Sequence, residues 1–159
     1  MHYILENPVL TETDQSFFSN FIECFMTANF ESYTRDSAEM RNVLFPFIFC
    51  ESPYLARLLE WRCRVEENEM DLVIAKNRSS CELITAQVTS NNGKICICET
   101  QEYWHMVFCC KSTGERFIYN KSLMQTYFLQ KREDVWKIWN NYNPDICSLV
   151  KEEELNTLM

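Results

Sequence analysis

Apolar side chains recur at steps of one and of three to four residues in the segment after Asp14, namely Phe17, Phe18, Phe21, Ile22, Phe25 and Met26. This spacing places them on one broad face of an amphipathic helix. Thr11 or Thr13 has the residue type that caps the start of a helix. Because the apolar face is almost entirely aromatic, we expect the helix to lie against a large, flat surface such as the concave side of a sheet.

Two further helices are predicted before residue 66. Ser37 can begin the first of them, and Pro46, which lacks an amide donor, interrupts or kinks it. Ser52 and Pro53 are the residue types of a helix cap and a first helical position. The apolar face of this last helix comprises Tyr54, Leu55, Leu58, Leu59 and Cys63. The acidic, polar stretch 66–69 ends the helical half.

From Met70 onward the pattern changes to long strands joined by tight turns. We predict strands over 70–75, 81–89, 94–110, 116–130 and 135–142. The first hairpin turn is Asn91-Asn92-Gly93, whose Asn-Gly pair accepts the two positive φ angles of a type I′ turn. Strands of this length cannot lie flat, so the sheet should coil strongly, with a bulge near 100–102 or 121–122.

These patterns predict one α+β domain over residues 1–159. The helices, over about 14–66, pack on a strongly curved antiparallel meander over about 70–142. The remaining tail, 143–159, is either a short helix or a frayed end. The chain has 159 residues, of which 47% are hydrophobic and 24% charged, which is the balance of a globular protein. A single domain of this length removes about 70% of its unfolded surface from water.

Charge and composition exclude several classes of function. The formal net charge is −8, so the averaged field repels a nucleic-acid backbone, and no nucleic-acid partner is expected. Gly93 and Gly114 are the only glycines, which leaves almost nothing from which to build a glycine-rich phosphate loop. No cofactor is therefore predicted. The longest apolar run, 43–50, contains Pro46 and is too short to cross a bilayer, so no membrane partner is expected either.

The cysteines indicate a reducing compartment. There are nine, an odd number, and residues 1–14 lack the basic region and apolar run of a signal peptide. We therefore expect an intracellular protein, cytoplasmic or nuclear, whose thiols are reduced. Cys96-Ile97-Cys98 and Cys109-Cys110 lack the spacing of a zinc knuckle, because alternating and adjacent cysteines on a strand point in directions unsuited to chelation. No metal site is predicted.

In layout, residues 14–142 resemble the nuclear transport factor two-like superfamily. The resemblance lies in the layout of an aromatic helix, further helices and a meander, and in the closing Tyr127–Ile138, an alternating strand, a charged turn and a Trp-Lys-Ile strand. It implies a cone in which a curved sheet wraps a long helix and leaves a pocket at its open end. Some members of that superfamily, such as scytalone dehydratase and ketosteroid isomerase, perform acid/base chemistry in the pocket. Others fill the pocket with side chains and bind proteins or dimerise through the outer sheet.

Acid/base groups are sparse in the predicted strands. His105 and Tyr103 share a strand face and are weak catalytic candidates. The rest of the local supply is Tyr119, Tyr127, Glu99 and Glu102. A lone histidine in a strand is more often structural, so no catalytic residue is assigned.

Aromatic residues are more numerous than one small core needs. We predict that some lie on the outer face of the sheet and form a protein interface, the candidates being Trp104, Trp136, Trp139, Tyr127 and Tyr119. The leading hypothesis is a non-enzymatic interaction module that forms a homo- or heterodimer through this face. The alternative is a small-molecule-binding protein or a dehydratase- or isomerase-like enzyme that uses a pocket in the cone.

Overall fold

The computed structural model describes residues 12–74, 79–142 and 150–151. Three helices come first: α1 (Glu12–Ser32), α2 (Ser37–Leu44) and α3 (Pro53–Glu67). Six strands follow in the described part of the chain: β1 (Met70–Leu72), β2 (Ser80–Asn91), β3 (Ile95–Cys110), β4 (Arg116–Arg132), β5 (Val135–Asn141) and β6 (Val150–Lys151). The α+β order of helices before strands is confirmed. The predicted tail helix falls outside the described residues, except that Val150–Lys151 is a strand.

The helix starts follow from their caps. Asp36 Oδ1 accepts a hydrogen bond from the Glu39 amide (2.8 Å) at the start of α2. Ser52 Oγ accepts from the amide of Tyr54 (3.1 Å) at the start of α3, and Pro53 is the first residue of that helix. The helix α2 ends two residues before Pro46, as predicted. None of the helices in the described ranges is long and apolar enough to cross a membrane.

The sheet is antiparallel and built around β3. The strand β4 pairs with β3 without interruption from Ile95 opposite Gln130 to Cys109 opposite Arg116. The strands β2 and β1 share the other edge of β3, while β5 and β6 pair with opposite ends of β4. The predicted bulge within 121–122 is wrong, because the β3–β4 ladder is continuous there. The irregularities lie in β2, on either side of Thr85–Val88, and between β4 and β5. The first of them lies opposite Gln101 and Glu102, at the other predicted position, 100–102.

The core lies inside the curl of the sheet. Phe18 of α1 meets the ring of Trp136 edge to face (5.1 Å between centroids), and Phe25 meets Tyr127 in the same way (5.9 Å). The aromatic face of α1 therefore packs against the concave side, as predicted. Phe17, predicted on the same face, is 49% exposed. Cys63 is also exposed, because the buried face of this part of α3 consists of Trp61, Arg62 and Val65 instead.

The start of α1 is attached to the edge strand β2 through one side chain. Gln15 Oε1 accepts a hydrogen bond from the Val88 amide (3.1 Å), and Gln15 Nε2 donates to the Val88 carbonyl (3.4 Å). The side-chain amide thus makes the same pair of bonds that a neighbouring strand would make at this residue.

The type I′ geometry occurs at a different turn from the predicted one. At the Asn91–Gly93 turn Gly93 has a positive φ (87°) and Asn92 does not, so the turn is in the predicted place but the predicted type is wrong. Asn92 instead accepts hydrogen bonds from the amides of Lys94 and Ile95. The β4–β5 turn has the two positive φ angles, at Glu133 (52°) and Asp134 (64°).

Replacing Glu133 with asparagine is expected to raise the free energy of unfolding by about 0.5 kcal/mol. Asparagine tolerates the left-handed region better than glutamate, while the rest of the turn is unchanged. Urea unfolding of the two proteins measures the difference. Glu133→Ala is the control, because it removes the same charge without tolerating a positive φ. Equal stability of the asparagine and alanine variants would contradict the prediction.

Candidate functional site

A small chamber lies within the curl of the sheet, between the helices and the two longest strands. Its volume is about 40 Å³. Side chains from α1 and the residue after it, from α3, and from the concave face of β3 and β4 line it: Asn29, Tyr33, Tyr54, Leu58, Trp61, Glu102, Trp104, Met106, Tyr119, Leu123 and Gln125. The lining is therefore aromatic and polar, with one carboxylate.

The carboxylate of Glu102 is the central polar group. Even-numbered side chains of β3 point into the curl, and this parity buries Glu102 to 1% exposure. The Thr100 hydroxyl (2.6 Å) and the Tyr127 hydroxyl (2.7 Å) both donate to Oε2, and the Trp104 indole N–H donates to Oε1 (2.8 Å). Three donors from this chain thus hold the carboxylate in one orientation.

Burial raises the pKa of Glu102 above its ordinary value. The hydrogen bonds from Thr100, Trp104 and Tyr127 act in the opposite direction but do not outweigh desolvation. The pKa of Tyr127 is raised well above its usual range, first by burial and then by the neighbouring charge of Glu102. Glu102 therefore takes up a proton more readily than a surface glutamate, while Tyr127 keeps its own.

Two amide oxygens at the chamber have no hydrogen-bond partner among the described residues. They are Asn29 Oδ1 and Gln125 Oε1, whose residues are only 6% and 5% exposed. Buried polar atoms are nearly always paired, so an unpaired acceptor beside a cavity indicates a site for a water or a ligand. The chamber therefore combines a fixed carboxylate with two open acceptors.

The predicted acid/base pair lies on the other side of the sheet. His105 and Tyr103 share a face, as expected from their spacing, but both are half-buried on the outer face, opposite Asn120 and Ser122 of β4. Neither lines the chamber. Of the remaining local supply, Glu102 and Tyr119 line the chamber, and Tyr127 reaches it through its bond to Glu102.

The predicted interface residues separate into two groups. Trp104, Tyr119 and Tyr127 are buried in the curl, at 6%, 3% and 1% exposure, and so belong to the core of the single chain. Trp136 and Trp139 are half-buried. Trp136 packs on Phe18, whereas Trp139 contacts the Phe49 ring and the Arg132 guanidinium.

The cysteine pairs lie apart from the chamber lining. Cys96 and Cys98 are buried on the concave face, and burial raises the pKa of each thiol to about 12. In Cys110, hydrogen bonds from Ser112 and Thr113 lower the pKa to about 7. Cys109 is half-buried on the opposite strand face. No group of three metal-ligating side chains forms among the residues described.

Sequence reasoning did not select the central residues of this chamber. It counted Glu102 among the local acid/base groups but ranked His105 and Tyr103 higher, and it did not consider Asn29 or Gln125. One signal was present in the sequence: Thr100, Glu102 and Trp104 alternate along β3. Residues at this spacing share one face of a strand, so the carboxylate had to lie between two hydrogen-bond donors. Which face is concave could not be read from a strand that is apolar on both sides.

Comparison with known proteins supports the fold. No family profile and no curated protein matches the sequence. Two solved structures resemble the chain. The intermembrane space region of the chloroplast protein ARC6 has a TM-score of 0.60 and 9% identity, and the match covers 91% of this chain and all of that one. A proposed aromatic ring hydroxylase from Novosphingobium aromaticivorans has a TM-score of 0.57 and 11% identity. This match covers 92% of this chain and 98% of that one. At these identities the likeness shows the strongly curled, cone-like α+β architecture and nothing of function.

Proposed function

We propose that this protein binds a small polar molecule in the chamber, with Glu102 as its central binding group. The observation that carries the proposal is the buried trio of Glu102, Asn29 and Gln125, in which a fixed carboxylate stands with two acceptors that lack partners. Leaving such groups unpaired inside a protein is costly, and a bound molecule that donates hydrogen bonds removes the cost.

The size of the chamber limits what it can hold. A cavity needs roughly 10–15 Å³ to hold one water molecule. The chamber's 40 Å³ therefore admits a molecule of a few heavy atoms or the end group of a longer one. Acid/base chemistry on that molecule would fall to Glu102, because a raised pKa suits a general acid.

We also infer membership of the nuclear transport factor two-like superfamily. The inference is supported by the cone-like sheet around α1 and by the closing Tyr127–Ile138 segment, in which the charged turn is the tight β4–β5 hairpin. Some members of that superfamily act on a small molecule in the pocket of their cone, which agrees with the proposed function.

A nuclear magnetic resonance titration tests the proposal. The Trp104 indole N–H bonds directly to Glu102, so its resonance reports on the chamber. A panel of polar solutes of two to five heavy atoms, each added to millimolar excess, is expected to include at least one that shifts this resonance to saturation. The shift should be lost in Leu123→Phe, which fills the chamber, and kept in Met124→Phe, which alters the adjacent, 76% exposed outer residue. A panel that leaves the Trp104 resonance unmoved would reject the proposal.

The second candidate function is the protein interface on the outer face of the sheet. It is favoured by Met124, exposed at mid-strand, and by the nearby edge-to-face pair of Phe128 and Tyr142 (6.1 Å). Multi-angle light scattering over a range of concentrations, with Met124→Glu beside the wild type, tests it for a homodimer. A heterodimer would require capture of a partner that the same substitution releases. A monomer at every concentration and no such partner would rule the interface out.

A further inference from the structure

Within the described part of the chain, the chamber presents acceptors and aromatic faces and no cationic side chain. Its polar atoms without partners are oxygens, and the rings that surround them belong to Tyr33, Tyr54, Trp61, Trp104 and Tyr119. No lysine or arginine of the described ranges lines it. Aromatic faces carry partial negative charge, so rings and carboxylate together form a surface that attracts a cation.

Two arginines of α3 lie near the chamber but outside its lining. Arg57 is 6.0 Å from the Tyr54 ring and donates to Asn140 Oδ1 (3.0 Å). Arg62 is 6.0 Å from the Tyr33 ring and donates to the Arg35 carbonyl. Neither arginine lines the chamber, although Arg57 Nε and Arg62 Nε and Nη1 are buried without a hydrogen-bond partner among the described residues.

The number of open acceptor positions points to the donor that fits. A carboxylate accepts about four hydrogen bonds, and three of these positions on Glu102 are taken by Thr100, Trp104 and Tyr127. The fourth acceptor position of Glu102 is open, and together with Asn29 Oδ1 and Gln125 Oε1 it gives three open acceptors. A primary ammonium has three N–H donors and a positive charge, and its first carbon suits an aromatic wall.

Resting on the proposed function, we propose that the molecule bound in the chamber is a primary amine in its ammonium form, the size of methylammonium or the end of a longer alkylamine. The three open acceptors take its N–H groups, Glu102 balances its charge, and the tyrosine and tryptophan rings surround its carbon. The 40 Å³ volume matches such a head group and excludes bulky amines.

Three probes separate this chemistry from its alternatives: methylammonium chloride, sodium acetate and formamide, each titrated at pH 8 and constant ionic strength. We expect methylammonium alone to shift the Trp104 indole resonance to saturation. Its apparent affinity should fall at least tenfold in Glu102→Gln, which keeps the shape of the side chain, and several-fold in Gln125→Leu. The indoles of Trp136 and Trp139 serve as internal controls, because they lie outside the chamber lining.

Each other outcome overturns something definite. If acetate or formamide shifted the resonance to saturation and methylammonium did not, the ammonium assignment would be rejected and the site would remain one for a polar molecule. Equal affinity for methylammonium in wild type and Glu102→Gln would reject the role of the charge, and with it the ammonium assignment. If none of the three probes nor any member of the wider panel moved the resonance, the proposed function itself would fall.

Discussion

Replacing Glu102 with leucine is expected to lower the free energy of unfolding by about 3 kcal/mol or more. The substitution leaves the Trp104 indole and the Thr100 and Tyr127 hydroxyls buried without their acceptor. Each orphaned donor costs about 1–3 kcal/mol, and water entering the polar chamber recovers only part of that cost. Urea unfolding followed by tryptophan fluorescence measures the change. A loss below 1 kcal/mol would contradict the prediction.

Glutamine at the same position should be far milder, within about 1 kcal/mol of wild type. Its oxygen can accept from the Trp104 indole, and its NH₂ can donate to the Thr100 and Tyr127 hydroxyls, which rotate to accept. The matched surface control is Glu99→Leu, on the exposed outer face of the same strand. Surface substitutions of this kind usually change stability by no more than about 0.5 kcal/mol. The contrast between leucine and glutamine separates lost hydrogen bonding from lost charge.

The stability of wild type relative to Glu102→Gln should depend on pH with a definite sign. Because burial raises the folded-state pKa of Glu102, the folded chain holds this proton more tightly than the unfolded chain. The resulting stabilisation is complete below the unfolded pKa, near 4.5, and is lost as the pH rises through the folded pKa. Urea unfolding of both proteins between pH 4 and pH 8 should show that the free energy of unfolding of the wild type falls, relative to that of Glu102→Gln, as the pH rises. A difference that grows in favour of wild type with rising pH would show that the hydrogen bonds outweigh burial.

Replacing Phe25 with alanine is expected to destabilise the fold by about 3–5 kcal/mol, the second large effect. Phe25 is fully buried and contacts the rings of Phe47, Tyr54 and Tyr127 at centroid distances near 6 Å. Its removal leaves a cavity where α1, α3 and the sheet meet, and such cavities cost this much when the surroundings cannot collapse. Denaturant unfolding provides the measurement.

Phe17→Ala, on the same helix, is the control, because it makes the same change in helix propensity and removes the same ring. Phe17 is half exposed, so its truncation should cost about 1 kcal/mol or less. Similar losses for the two variants would mean that α1 is not fixed on the sheet by its buried face.

The sequence was sufficient for the architecture because the strongest signals are local. The aromatic spacing of α1, the Ser52-Pro53 start of α3 and the long strands after Met70 each depend on neighbouring residues and are found where expected. Of the two predicted bulge positions, 100–102 coincides with an irregularity of the β2–β3 pairing and 121–122 does not, because a bulge depends on how two paired strands bend across each other. The turn types were misplaced because Asn92 can satisfy its neighbours through its side chain instead of adopting a positive φ.

The site was harder to predict than the fold because it is assembled from distant segments. Asn29, Glu102 and Gln125 come together only when α1, β3 and β4 close around one space. The aromatic excess suggested an outer interface, since the count of rings does not reveal how many the curl accommodates. The structure places Trp61, Trp104, Tyr119 and Tyr127 inside, so most of that excess is used in the interior.

The bond pair between Gln15 and Val88 bears on how the protein avoids self-assembly. Among the described strands, β2 pairs only with β3, and an unpaired strand border is a template on which strands of other molecules can add. Gln15 occupies the backbone groups of Val88, in the second half of that border, and two irregularities in β2, at Leu83/Thr85 and Val88/Ser90, disrupt the regular repeat. Loss of this amide is expected to leave the backbone N–H and C=O of Val88 open and to make strand addition by another molecule easier.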